Sequence, residues 1–125
     1  MRILIIDSSI QIMQRLEEML LAVNVASFIC ISDNYETGLQ IFTQNRPDVV
    51  LLGIGLPENR CIKLLEEIKK AFLTVPVIIL SISTNAELHY QCLQLGADYF
   101  LDKYYEFEKI PAVIMEIAGN RMQQQ

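Results

Sequence analysis

The chain has 125 residues, of which 52% are hydrophobic and 20% charged, a composition typical of one globular domain with a buried core. Its formal net charge of −5 argues against nucleic-acid binding, because that requires a basic face. No apolar run reaches the roughly 18 residues of a membrane span, and the short apolar run before Asp7 is not a signal peptide. We expect one cytoplasmic domain over residues 1–125, frayed from residue 120, that contacts neither nucleic acid nor membrane.

Apolar runs typical of buried strands alternate with segments of helical periodicity. Strands are predicted at residues 3–6, 25–31, 49–54, 75–80 and 99–101. Helices are predicted at residues 9–22, around 62–68, at 86–95 and at 107–118. A further helix begins at a cap, Asp33 or Asn34, and ends just before Pro47. Gly96 is expected to end the helix at 86–95, and Pro111 to lie in the first turn of the last helix. This alternation predicts an α/β fold, a single doubly wound five-stranded parallel sheet.

The cysteines and the single histidine give little functional signal. Cys30, Cys61 and Cys92 have no metal-binding or redox spacing, so we expect them to be reduced thiols, mostly buried. His89 lies in a predicted helix with no metal ligands at a suitable spacing. We therefore expect it at the surface or in contact with a partner, and we predict no metal site.

Polar residues follow the predicted strands at the edge where ligands bind in open α/β sheets. The first strand ends at Asp7 and Ser8, the fourth at Ser81, and the fifth at Asp102 and Lys103. The third, buried strand ends at Gly53, which delivers no side chain to this edge.

Four motifs, at residues 3–8, 47–57, 76–81 and 96–103, occur here in order. Because of these four motifs and their order, the whole chain resembles the receiver domain of bacterial two-component response regulators, the CheY-like family. The resemblance implies the flavodoxin-like (βα)5 receiver fold with strand order 2-1-3-4-5. It also implies a function in signal transduction, in which a histidine kinase transfers a phosphoryl group to an aspartate after strand three, next to Mg²⁺ held by carboxylates.

The resemblance assigns five positions to the family's phosphorylation pocket. Asp7 matches the first acidic residue, whereas Ser8 stands where a second carboxylate is expected. Gly53 occupies the phosphoacceptor position. Pro57 supports this alignment, because the family has a proline four residues after its phosphoacceptor aspartate. Ser81 and Lys103 match the phosphoryl-binding hydroxyl and lysine.

Three further positions are carried over from the same resemblance. Phe100 takes the position of the switch aromatic residue. Tyr104 replaces the usual proline after the lysine, so whether the Lys103–Tyr104 peptide is cis stays open. Cys61 replaces a glycine that is common in the family, and we expect it in the loop after strand three. We expect Gly55 to serve the geometry of the same loop.

Gly53 has no nucleophile, so no aspartyl phosphate can form there. With Ser8 and Gly53, two of three carboxylates are missing, and we expect Mg²⁺ binding to be lost or very weak. We predict no catalytic residue, no cofactor, and a vestigial pocket in which Asp7 pairs with Lys103. The first hypothesis is thus an atypical, non-enzymatic receiver that acts by phosphorylation-independent protein–protein interaction.

The resemblance implies that a protein partner, such as a histidine kinase or another signalling protein, would bind the face of helix four, strand five and helix five, and that a homodimer would use the same face. The candidate exposed contact residues are His89, Tyr90, Gln94, Tyr104, Tyr105 and Phe107. The alternative for the aromatic cluster Tyr104, Tyr105 and Phe107 is that one or two of these side chains pack into the core. The alternative is a phosphorelay receiver phosphorylated weakly or elsewhere, at Asp7 or at Asp48. A flavin or small-ligand module is disfavoured, because the loop after strand one is poor in Gly and Thr.

Overall fold

A computed structural model describes residues 1–24, 26, 28–54, 58–82 and 86–123 of the chain, and of residues 58, 59 and 121–123 only the backbone. The strands are β1 (Arg2–Ile6), β2 (Phe28–Ser32), β3 (Val49–Ile54), β4 (Val77–Ser81) and β5 (Tyr99–Asp102). The α-helices are α1 (Ile10–Ala22), α2 (Tyr35–Asn45), α3 (Glu58–Ala71), α4 (Ala86–Gln94) and α5 (Ile110–Gln123), and a 3₁₀ turn at Phe107–Lys109 precedes α5.

The five strands form one parallel sheet in the order β2-β1-β3-β4-β5, which confirms the predicted α/β fold and strand order. Helices cover both faces of this sheet. Phe42, Leu65 and Leu88 place α2, α3 and α4 against one face. Leu16 and Ile114 place α1 and α5 against the other. Burial on both faces explains why β3 is wholly apolar.

The predicted helix caps are present in the structure. Ser9 accepts a hydrogen bond from the Ile12 N–H, and Asn34, rather than Asp33, caps α2. Gly96 has a φ of 102°, and the N–H groups of residues 96 and 97 donate to the carbonyls of residues 93 and 92. These two bonds form a Schellman motif, so glycine ends α4 as predicted.

Several boundaries differ from the prediction. β2 runs from Phe28 to Ser32 instead of 25–31, and Val25 lies outside the described residues. The last α-helix begins at residue 110 and extends to 123, with Pro111 in its first turn as predicted. Residues 124 and 125, the end of the predicted frayed tail, are not among those described. α3 begins at residue 58, so Cys61 lies inside a helix and not in a loop, which corrects the prediction.

Lys69 is turned into the protein instead of lying at the helix end in solvent. Its Nζ donates to the Val75 carbonyl at 2.7 Å and to Asp98 Oδ2 at 2.9 Å. The Val75 carbonyl therefore bonds to the Lys69 side chain instead of to a neighbouring strand. The strand β4 begins at Val77, two residues later than predicted. The buried ammonium ties the end of α3 to the starts of β4 and β5. Among the described helices, none has the length and apolar character needed to cross a bilayer.

Candidate functional site

The backbone brings the predicted site residues to the carboxyl edge of the sheet. The Asp7 N–H donates to the Ser32 carbonyl at 3.0 Å, which fixes the chain just beyond β1. The Lys103 N–H donates to the Ser81 carbonyl at 2.9 Å, which does the same beyond β5. Gly53 lies near the end of β3, between β1 and β4. These positions meet because parallel strands end at one edge.

Asp7 and Lys103 form a buried ion pair, as the sequence predicted. Lys103 Nζ lies 2.8 Å from Asp7 Oδ2, and the two side chains are 5% and 0% exposed. Asp7 Oδ1 accepts a hydrogen bond from the Ser9 N–H at 2.9 Å. Within the described part of the chain, Oδ2 makes no contact with good hydrogen-bond geometry, so it relies on the charge of Lys103. This carboxylate is therefore held from two sides and shielded from water.

Gly53 leaves space that the Asp7 carboxylate fills. A Cβ built on Gly53 would lie 2.5 Å from Asp7 Cγ and 3.0 Å from Asp7 Cβ, and it would overlap Oδ2. Real Cβ atoms do not approach carbon so closely. The Gly53 carbonyl accepts a hydrogen bond from the Cys61 thiol at 3.6 Å, so α3 holds the other side of this strand end. No side chain at position 53 fits while Asp7 keeps this position.

The pocket does not match the donor set that Mg²⁺ requires. Ser8 is exposed and brings no carboxylate to the edge, and both oxygens of Asp7 are engaged by Ser9 and Lys103. Within the described residues, no three Asp, Glu, His or Cys side chains cluster in a way that suits a metal. Mg²⁺ needs several anionic or carbonyl oxygens, and these residues do not supply them.

Ser81 is buried at the end of β4 and already has an interaction partner. Its hydroxyl lies at the carboxyl edge where the sequence placed it, because Ser81 pairs with Ile54 of β3 and Asp102 of β5. Pro57, which supported the alignment of Gly53 with the phosphoacceptor position, and Gly55, expected to serve loop geometry, both lie outside the described residues.

Phe100, at the switch aromatic position, is half-buried and stacks on His89 of α4. The ring centroids are 4.3 Å apart and the planes are inclined by 13°. A displacement of Phe100 towards the core would break this contact. The stack therefore couples the orientation of Phe100 to the position of α4.

Asp102 organises the turn that follows the site. Its Oδ1 accepts hydrogen bonds from the N–H groups of Tyr104 and Tyr105, both at 2.8 Å, and its own N–H donates to Glu106 Oε1 at 3.0 Å. The Lys103–Tyr104 peptide is trans, which answers the question left open by the sequence. The sequence placed Asp102 at the end of the fifth strand, and an Asp side chain that accepts from backbone N–H groups two and three residues later is a common feature of turns.

The pKa of Glu106 is lowered, first by the hydrogen bond from the Asp102 backbone and second by the hydrogen bond from Lys109. Desolvation opposes these effects but is smaller. The carboxylate form is thus stabilised by the folded turn.

Five of the six candidate contact residues are exposed, namely His89, Tyr90, Gln94, Tyr104 and Tyr105. The exposure predicted for Phe107 is wrong, because its side chain is only 5% exposed and belongs to the core on the side of α1 and α5. The guanidinium of Arg15 lies over the Phe107 ring, 4.7 Å from its centre. The 3₁₀ turn points this ring inward, whereas a regular helix from residue 107 was expected.

Comparison with known proteins agrees with this geometry. Residues 3–115 match the family described as the response regulator receiver domain. The probable C4-dicarboxylate response regulator DctR of Bacillus subtilis is 27% identical over 87% of this chain and 48% of its own length. The transcriptional regulatory protein KdpE of Mycobacterium tuberculosis is 32% identical over 88% of this chain and 47% of its own length. The chain thus spans about half the length of these relatives.

Solved receiver domains have the same fold. A CheY-like receiver domain protein from Methanospirillum hungatei superposes with a TM-score of 0.88 at 22% identity, covering 99% of this chain and 98% of the other. A receiver domain protein from Clostridium thermocellum gives a TM-score of 0.85 at 25% identity, with coverage of 99% and 98%. The family match over most of the chain, the strand order and the arrangement of the carboxyl edge agree, and the chain belongs to the response regulator receiver domain family.

Proposed function

We propose that this chain is an atypical receiver domain that acts in two-component signalling by binding another protein, without phosphorylation at position 53. The observation that supports this proposal is the Asp7 carboxylate, which fills the space where a side chain at position 53 would begin. An acyl phosphate at the end of β3 needs a carboxylate there, and Gly53 has none.

The neighbouring carboxylates are poor substitutes for the missing acceptor. Asp7 is fully buried and its charge is paired with Lys103, so a phosphodonor in solution has no direct access to it. Asp48 lies at the opposite end of β3, where it accepts a hydrogen bond from the Arg2 N–H at 2.6 Å. Together with the poor fit of the pocket for Mg²⁺, this favours a domain that acts by binding and uses no metal.

The exposed surface of α4, β5 and α5, together with the segment that joins β5 to α5, is the proposed partner face. Tyr104 and Tyr105 are 70% and 91% exposed beside the site, and Tyr90 is exposed on α4. Exposed aromatic side chains are typical anchors of protein interfaces. We place the partner among signalling proteins of the cytoplasm, including histidine kinases, with a homodimer through the same face as a further arrangement.

Incubation with acetyl phosphate and Mg²⁺, followed by intact mass measurement, tests the proposal. We expect no stable mass increase of about 80 Da, the mass of one phosphoryl group. A hydroxylamine-labile adduct would overturn the proposal and support a receiver phosphorylated at a non-standard residue. In that case the variants Asp7→Asn and Asp48→Asn identify the acceptor, because only one of them should abolish the adduct.

A further inference from the structure

A second concave site lies at the amino ends of the strands, away from the carboxyl edge. It is a cavity of about 510 Å³ between the end of α2, the connection from α3 to β4, and the end of α5. Its lining includes Phe42, Arg46, Phe72, Thr74, Tyr99 and Asn120. This volume lies within the range of small-molecule sites, and neither the fold nor the proposed partner face accounts for it.

Arg46 is held in a fixed position on the wall of this cavity. It is the C-cap of α2, with a left-handed φ of 47°, and its N–H donates to the Phe42 carbonyl. Its guanidinium carbon lies 4.6 Å from the centre of the Phe72 ring, and that ring packs edge-on against Phe42 with centroids 6.0 Å apart. The cap fixes the backbone of this exposed residue, and the contact with the Phe72 ring orients its guanidinium before any ligand arrives.

The charges around the cavity leave Arg46 as its available cation. Asp98 Oδ2 accepts hydrogen bonds from Lys69 Nζ and from the Val77 N–H, so the Lys69 charge compensates this carboxylate, whose side chain is 42% exposed. Asp48, a second carboxylate in the lining, accepts a hydrogen bond from the backbone N–H of Arg2 and has a further interaction. Among the residues that the structure describes, the Arg46 guanidinium has only the Phe72 ring as a partner. Its N–H donors can therefore take a carboxylate or phosphate in bidentate geometry.

We propose that this cavity binds a planar aromatic acid, whose anionic group pairs with Arg46 and whose ring packs against the apolar wall. Phe42, Phe72 and Ile117 supply that wall. Thr74 and Asn120 add polar groups at the rim that can hydrogen-bond to ring substituents. Burial and then Glu116, which also accepts a hydrogen bond from the phenol, raise the pKa of Tyr99, so this ring stays neutral beside the anion.

The test is a titration of the ¹⁵N-labelled full chain with 2-naphthoate, followed by amide chemical shifts. Two probes separate the contributions: 2-naphthalenemethanol has the ring without the charge, and acetate has the charge without the ring. We expect saturable shifts around residues 46, 72, 74 and 120, with affinity for 2-naphthoate about tenfold or more above either probe. Equal affinity for the uncharged probe, or shifts centred on the carboxyl edge, would overturn the proposal.

A variant provides the second arm of the test. Arg46→Asn removes the cation, and Asn tolerates the left-handed backbone at this cap. We expect it to weaken 2-naphthoate binding about tenfold and to leave binding of 2-naphthalenemethanol unchanged. Arg60→Gln, at an exposed arginine that pairs with Glu36, is the matched control and should bind normally. If Arg46→Asn binds 2-naphthoate as tightly as the unmodified chain, Arg46 does not hold the anionic group. The comparison of the three probes uses the unmodified chain, so it remains valid even if a variant fails to fold.

Discussion

Lys103 Nζ and Asp7 Oδ2 are 2.8 Å apart and join the ends of β5 and β1, two strands separated in the sheet by β3 and β4. Both side chains are shielded from water. A buried ion pair of this kind contributes little net stability compared with apolar groups, but removing one partner is costly because the other charge stays buried. The pair therefore fixes the relative position of two loops at the carboxyl edge.

The first prediction concerns this pair. Lys103→Met should lower the free energy of unfolding by about 3–5 kcal/mol, because Asp7 then keeps a buried charge without a counterion. Adding Asp7→Asn should recover much of that loss, since Asn keeps an acceptor for the Ser9 N–H. Urea unfolding of the two single variants and the double variant measures the coupling. Strictly additive effects would show that the two groups do not interact.

The second prediction concerns Gly53. Gly53→Ala should lower the free energy of unfolding by about 1–3 kcal/mol, because the added methyl group overlaps the Asp7 carboxylate and must displace it. Gly119→Ala is the matched control. A Cβ there meets nothing within 4 Å, and alanine in a helix should raise stability by about 0.5–1 kcal/mol. Chemical denaturation of both variants checks this, and a neutral Gly53→Ala would mean that Asp7 relocates without cost.

The sequence predicted this edge of the molecule well because the strand signals are local and the resemblance places the pocket residues together. The apolar run of β3 has the bounds that were predicted, Val49–Ile54. The resemblance placed Asp7 and Lys103 in one pocket, and the absence of the other carboxylates there predicted that they pair. The sequence could not reveal that Asp7 fills the space above Gly53, because that depends on a side-chain orientation set by the Ser9 N–H and by Lys103.

Errors occurred where tertiary contacts override a local pattern. Lys69 lies in the last turn of α3, where a lysine suits the negative end of the helix, yet it also bonds to Asp98, 29 residues away, and to two carbonyls. Phe107 reads as part of an exposed aromatic cluster with Tyr104 and Tyr105, but the 3₁₀ turn rotates it into the core. Neither contact has a signal within a few residues of sequence.

The third prediction concerns pH. The folded pKa of Glu106 lies below its ordinary value of 4.5, so its carboxylate stabilises the fold above that pH and the contribution is lost as the pH falls through the folded pKa. Glu106→Gln should therefore reduce stability at pH 7, and the difference from the unmodified chain should shrink below pH 4.5. Urea unfolding across this range measures it. Glu108→Gln, at an exposed carboxylate of the same turn, should show a smaller and flatter difference.

The fourth prediction concerns the partner face and rests on the proposed function. Tyr104→Ala and Tyr105→Ala should each reduce recovery of the partner in affinity pull-downs analysed by mass spectrometry, with thermal stability nearly unchanged because both side chains are mostly exposed. The charge reversal Glu108→Lys should act in the same direction. Leu73→Ala, at an exposed apolar residue outside this face, is the control. Equal recovery with all four variants would show that another surface binds the partner.

The space above Gly53, which Asp7 fills, also limits which single substitutions this chain can tolerate on the way to a phosphorylatable receiver. A carboxylate introduced at position 53 by a single substitution meets the Asp7 side chain, and moving Asp7 aside takes the counterion away from buried Lys103. An aspartate at Ser8, an exposed position, costs little by itself but leaves position 53 blocked. A substitution at Ser8 does not move Asp7, so a route from this chain to a phosphorylatable receiver passes through a less stable intermediate in which Asp7 has left Lys103.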